Sequence, residues 1–540
     1  METQLQGERP AAVVSVEKCK RLARVIKIQR APGWPSPPRR ELPEKAVCDR
    51  LIDSYLQTTE SIHRILHIPS FMQEYESIWM PNAKPDPGFL IQLKLVLAVG
   101  STAYDDAFSL RTSAVHWVYE AQTWLCEPEF KSRLTIQSIQ VNILLLIARK
   151  SINIGGTLVW LSAGDLLRTA IYMGLNKDPS GPPTRSTYTT EMQRRLWHTV
   201  LEIILQTSLD SGGSPLISLG DYDTRCPQNF NDEDLLVGVT TPRPDEEYTQ
   251  TTVARARWHA LPVRLAILKY LNDFGSKAIY SETLRLDKEL RAAQKTMNRY
   301  FEATRLHAGH SIFDVGSTMA NYLLATYIFA LHTPFLATAF REPTHAFSRM
   351  ALVDNSLKLW PLVCPSSALA AQTGSNGAST NDIWRRLTFC DQRIFYVTVK
   401  HVTVAVLLEL RQQFQDREGL GAASFGPDLL GILHESKTWT LEGIKVGETN
   451  IKGYLASCVA ASHAEALKRG LQTEEMAKVL VQATGDAAET CLPYLETMLR
   501  LEKGEASNDS GHDVVQTPLE SIDWNDIWVR SDIWASIRHG

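Results

Sequence analysis

The chain has 540 residues, 44% hydrophobic and 21% charged, with a formal net charge of −4. Those values exclude a disordered polyelectrolyte and a chain that coats nucleic acid by charge alone. The length leaves room for one large domain or two smaller ones. Eight cysteines stand singly, with no C-x-x-C among them, which argues against a disulfide scaffold and a zinc cluster and suits a reducing compartment. No signal-peptide core opens the chain, and the most apolar runs, 143–148 and 322–331, read as too short to span a bilayer. A soluble, intracellular protein is expected.

Residues 1–16 carry no pattern and are expected to be disordered. Between Glu17 and Arg40, eight basic residues accompany one acidic residue. Lys18, Lys20, Arg21, Arg24, Lys27 and Arg30 form a candidate basic arm, a stretch able to make a short helix with Leu22, Val25 and Ile26 on one side. PGWPSPP then breaks any helix. The arm reads either as a nuclear-localisation or DNA-backbone-binding segment or as a solvated linker, the commoner fate of a charge run. A helix is expected over 43–66, with Val47, Leu51, Tyr55, Ile62 and Leu66 inward. Further helices are expected over 89–104, near Val118 and Trp124, and over 135–150.

The central stretch, 154–235, is the most informative. Val159, Ala163, Leu166, Ala170 and Met173 recur at helical spacing, and Gly174 sits where a helix C-terminus needs positive φ. A second helix is expected from Thr190, with Gln193 completing a capping box and Leu196, Trp197, Val200, Leu201 and Ile204 buried. Ser211, Gly212 and Gly213, with Pro215 close behind, end it. Helices are expected again over 253–272, 282–305, 312–337, 383–413, 453–467 and 474–501, with a polar loop at 365–382. No strand alternation is convincing. The expected fold is all-α, a single large regulatory domain over 41–501, followed by a polar linker (502–518) and an acidic, tryptophan-rich tail (519–540).

The order of short motifs resembles the middle homology region of fungal zinc-binuclear-cluster transcription factors. The residues that carry the likeness are His67, Pro69 and Phe71; Gly164, Gly174, Arg194, Arg195 and Trp197; Gly213 and Pro215; and His332 with Pro334. Thr333 stands where the family usually has a basic residue. The resemblance implies a nuclear regulator of a metabolic gene set, such as one making secondary metabolites, with a domain that answers to a small-molecule effector. It also implies DNA binding through a six-cysteine cluster holding two zinc ions. Cys19 and Cys48 cannot build that cluster. No cofactor is therefore expected in this chain, and either a cluster lies upstream of the sequence or a partner supplies the DNA contact. Homo- or heterodimerisation is left open by the lack of a sustained heptad run in 1–45.

In the tail, Trp524, Trp528 and Trp534 interleave with Asp523, Asp526 and Asp532. That pattern fits an activation segment that folds on a co-activator of the transcription machinery; a helix docked on the domain is the alternative. No nucleotide-binding, hydrolase or metalloprotease motif is present, so no catalytic or metal residue is expected. His63 with His67, and His307 with His310, read as core or surface histidines. The aspartates Asp221, Asp223, Asp232 and Asp234 read as caps and turn formers. Arg194 and Arg195 are expected to bridge to acidic residues of the same domain. A helical domain recruited as a metabolite-binding protein or enzyme is the alternative function.

Overall fold

Apolar residues at three- and four-residue spacing run through the chain, and the structure realises them as helices. The computed structural model describes residues 9–128, 131, 133–180, 185–273, 279–308, 315–369, 378–390, 392–416 and 428–506. Among the described residues there is no strand. The α-helices in order are α1 (Arg9–Arg30), α2 (Lys45–Gln57), α3 (Thr59–Ile62), α4 (Ile68–Ser77), α5 (Pro87–Gly100), α6 (Arg111–Cys126), α7 (Ile136–Ser151), α8 (Val159–Tyr172), α9 (Thr187–Ser211) and α10 (Asp232–Leu236). They continue as α11 (Thr252–Trp258), α12 (Leu261–Leu271), α13 (Tyr280–Ala308), α14 (Val315–His332), α15 (Leu336–Ala339) and α16 (Ala346–Val363). The last are α17 (Ala378–Cys390), α18 (Gln392–Asp416), α19 (Leu429–Lys445), α20 (Lys452–Lys468) and α21 (Thr473–Ala506).

The all-α class is as expected, but the helices divide into two compact units where one domain was expected. Among the described residues, the larger takes those within 32–331 and 376–394, and the smaller those within 1–31, 332–375 and 395–540.

The larger unit is built around α5. Its sequence, PGFLIQLKLVLAVG, is apolar but for Gln92 and Lys94, and every residue after Pro87 is buried; a helix without a continuous polar face belongs in the middle of a core. Asp86 caps it by accepting the Phe89 N–H. Helices α2, α6 and α7 surround it. Gly100 lets α2 close in, since a Cβ there would lie 2.0 Å from the Leu51 carbonyl oxygen. The one cation on α5, Lys94, is satisfied by Glu120 and the Arg39 carbonyl, both at 2.6 Å.

Two expected helices are broken. The 43–66 segment stops at Gln57, and a short turn of helix, α3, follows. The 253–272 segment splits at His259 and Ala260, with Pro262 in the first turn of α12, where a missing N–H costs nothing. The run Val315–Ala339 is long and apolar enough to cross a bilayer by length and composition, which corrects the sequence-based length limit. However, 67% of its most apolar window is buried inside the protein, as in a core helix.

In the smaller unit the basic arm is largely ordered, against expectation. Helix α1 packs along α21, and Ala12, Val16, Cys19 and Ile26 are buried. Val16, Cys19 and Ile26 join a cluster with Ala488, Cys491 and Leu495. Of the basic residues, Lys18 pairs with Glu496 at 2.7 Å and Arg30 with Glu502 at 2.6 Å. Arg21, Arg24 and Lys27 are exposed, so a solvated charge face remains on a structural helix. The partner strip on α21 lies more than 450 residues away in the chain, so local pattern alone could not show what α1 covers. Ile26→Ala should lower unfolding free energy by about 2–4 kcal/mol in urea denaturation followed by circular dichroism. Arg24→Ala, on the open face, should change it by less than about 0.5 kcal/mol.

Candidate functional site

Helix α9 starts one turn earlier than expected, with Ser186 accepting the Thr189 N–H as its cap. Gln193 therefore does not cap its own helix. Its side chain donates instead to the carbonyls of Gly174 and Lys177 and closes the end of α8. Gly174 and Gly212 both take positive φ, at 78° and 66°, as helix ends require. Gly213 passes beneath Trp160, where a Cβ would lie 2.6 Å from the ring.

Every residue of α9 from Glu191 to Leu205 is buried, including Arg194, Arg195, His198 and Glu202. Charges in such a place must be paired, because removing an ion from water costs several kcal/mol. Successive residues on a helix point about 100° apart, so the arginine pair serves two neighbours. Arg194 makes a fork to Asp178, both contacts at 3.0 Å, and reaches Glu191 at 2.7 Å. Burial opposes ionisation of Asp178, but the Arg194 and Ser180 side chains and the Arg225 N–H hold its carboxyl well below the usual range.

Arg195 turns toward α10 and meets Asp232 at 2.5 Å. Arg64 donates to both oxygens of the same carboxylate at 2.8 Å, across 168 residues of sequence. The Ile68 N–H adds a third contact at 2.7 Å, and His67 Nε2 lies 2.9 Å from the Asp232 carbonyl oxygen. Burial would raise the Asp232 pKa, but the two guanidinium groups and the Ile68 N–H outweigh it and hold the carboxyl at about 2. Glu60 completes the layer, accepting the N–H groups of Ile65 and Leu66 and the Tyr55 hydroxyl. Two turns along α9, Glu202 takes Arg264 through both its oxygens and pairs with Arg257. Burial opposes its ionisation, yet those arginines keep its carboxyl well below the usual range.

The motif residues thus converge in part. His67, Arg194 and Arg195 belong to this charge lattice, as the expected bridging by the arginines required. Phe71 and Trp197 are core side chains, Trp197 edge-on to Tyr222 at 5.6 Å. Pro69 lies in the first turn of α4, Pro215 is buried beyond the α9 end, and Gly164 lies in α8 without a close neighbour other than Arg168 of its own helix. His332 and Pro334 fall in the smaller unit; His332 is buried with Nδ1 2.9 Å from the Ser348 hydroxyl, while Pro334 is exposed. Asp221 and Asp234 close capping boxes with Ser218 and Asn231, as expected. Asp232, expected to be another cap, is the node of the lattice. Arg64, Glu202, Arg257 and Arg264 were not singled out from sequence; charged residues inside apolar helical runs were the only signal. Trp524, Trp528, Trp534 and His310 lie outside the described residues. Among the described residues, no group of three His, Cys, Asp or Glu is placed to hold a metal.

These features define an all-helical domain closed by buried ion pairs. Residues 52–253 match the family described as fungal specific transcription factor domain. The chain is 32% identical to "Transcription factor opdR" of Penicillium oxalicum, over 87% of this chain and 62% of that protein. It is 34% identical to "Transcription factor lepE" of Aspergillus flavus, over 63% of this chain and 42% of the relative. "Aspyridones cluster regulator apdR" of Emericella nidulans is 27% identical over 71% of this chain and 50% of its own. The chain therefore spans less than two thirds of these relatives. No solved structure matches it.

The Asp232 carboxyl, held at about 2 when folded against about 3.9 in an unfolded chain, contributes stability that is fully present above pH 4. It is lost as pH falls toward 2. Asp232→Asn should cost about 3–5 kcal/mol at pH 7, because two buried arginines lose their counter-charge. The variant's loss of stability between pH 4 and pH 2, followed by urea denaturation, should be correspondingly shallower than that of the parent.

Proposed function

We propose that this chain regulates transcription of a gene set, in the manner of the secondary-metabolite cluster regulators to which it is similar, and is not an enzyme. The observation that carries the reading is the likeness to a fungal transcription factor across 87% of the chain, well beyond the matched domain. "Aspyridones cluster regulator" and "Equisetin cluster transcription factor" are among the relatives' names, and a biosynthetic gene cluster is the corresponding target here. The protein works in the nucleus. It reaches DNA through a zinc cluster encoded upstream or through a partner, as a homo- or heterodimer, and no cofactor is assigned to the residues of this chain.

The helical domain is the regulatory part, responding to a small-molecule effector. The tail around Trp524, Trp528 and Trp534 engages a co-activator: tryptophans spaced among aspartates stay soluble alone and bury their rings in a partner's groove. Fusing residues 503–540 to a heterologous DNA-binding domain should raise a reporter at least about tenfold. Replacing the three tryptophans by alanine should return it to background; a silent parent fusion would remove the tail from the account. Disruption of the gene should lower transcripts of a co-located biosynthetic gene set, measured by RNA sequencing, and an unchanged transcriptome would contradict the regulatory reading.

A further inference from the structure

The larger unit contains a narrow cavity of about 80 Å³ that opens to solvent. Its walls come from α3, α7, α9, α14 and α17, with Ile62, Leu146, Ile203, Leu323 and Leu387 supplying the apolar surface. The polar side of the cavity carries His63, Lys150, Glu202 and Arg257. Lys150 pairs with Asp210 at 2.7 Å. Arg257 and Arg264 are both buried and share one carboxylate, Glu202. Three cations are thus matched by two carboxylates, and among the described residues no further acidic side chain pairs with any of the three. One positive charge is left over in a place where charge is stable only when compensated. His63 adds a polar atom in need of a partner, since its Nδ1 is buried without a hydrogen bond.

We propose that this cavity binds a small monoanion with an apolar body, its negative group beside Arg257, Lys150 and His63 and its body against Ile203, Leu323 and Leu387. The anion supplies the missing counter-charge. The apolar wall contributes most of the contact area, and the imidazole orients the polar end by a hydrogen bond. Burial together with Arg257 holds His63 well below its ordinary pKa, so the empty cavity does not add a further cation of its own. The site deepens the effector response proposed above, but the binding stands apart from it and is tested apart from it.

The test titrates the full chain with 1-naphthoate, and with 1-naphthol as the uncharged analogue, following tryptophan fluorescence and calorimetry at pH 7. Naphthoate should bind at least about tenfold more tightly than naphthol. Lys150→Met should cost naphthoate about tenfold while leaving naphthol unchanged. Leu323→Trp, which fills the cavity, should abolish binding of both probes with the helical circular dichroism intact; if that variant does not fold, the Lys150→Met comparison still decides. Equal affinities for the two probes, an unchanged Lys150→Met, or no naphthoate binding at about 1 mM would overturn the proposal. Binding that leaves reporter output in cells unchanged would keep the site and remove the effector reading.

Discussion

The carboxylate of Asp232, held between Arg64 and Arg195, is the interaction on which the matched domain depends. It joins the turn before α4, the middle of α9 and the start of α10, which the chain supplies at residues 64–68, 195 and 232. Hydrophobic burial alone would let those elements slide, because apolar contact has no direction. A two-oxygen acceptor between two guanidinium groups does have direction. It fixes which turn of α9 faces α10, and it places the capping box at Asn231 and Asp234. The family match begins at 52 and ends at 253; both flanks of that stretch are drawn together by this one residue.

The second charge cluster carries the same logic. Around Asp232, Arg64 and Arg195 meet one carboxylate held ionised, while burial pushes the neighbouring Glu60 carboxyl up to about 7. Around Glu202, two arginines share one carboxylate beside an open cavity. The lattice that organises the domain therefore leaves an uncompensated charge at the place where the packing leaves space.

Much of the frame was legible in sequence. The α8 stripe ending at Gly174, the break at Gly212 and the buried face of α9 follow from spacing and from the conformational freedom of glycine. The bridging role of Arg194 and Arg195 followed from two arginines on a helix with a buried face. What was not legible depends on partners distant in sequence. Asp232 looked like a cap because it sits beside true caps, and nothing near it in the chain announces Arg64. Helix α1 looked like a loose arm because the surface it covers is on α21. Gln193 looked like the cap of its own helix, since the pattern it forms with Thr190 is local, whereas its real acceptors are the carbonyls ending α8.

The most direct measurement is a double-mutant cycle between Arg195 and Asp232, using Arg195→Met, Asp232→Leu and the combined variant in urea denaturation at pH 7. If the ion pair closes the domain, each single variant strands a buried charge, and the double variant is less destabilised than the sum by roughly 2–3 kcal/mol. If the two losses add to within about 0.5 kcal/mol, the pair is incidental to the packing, and the role given to Asp232 is wrong.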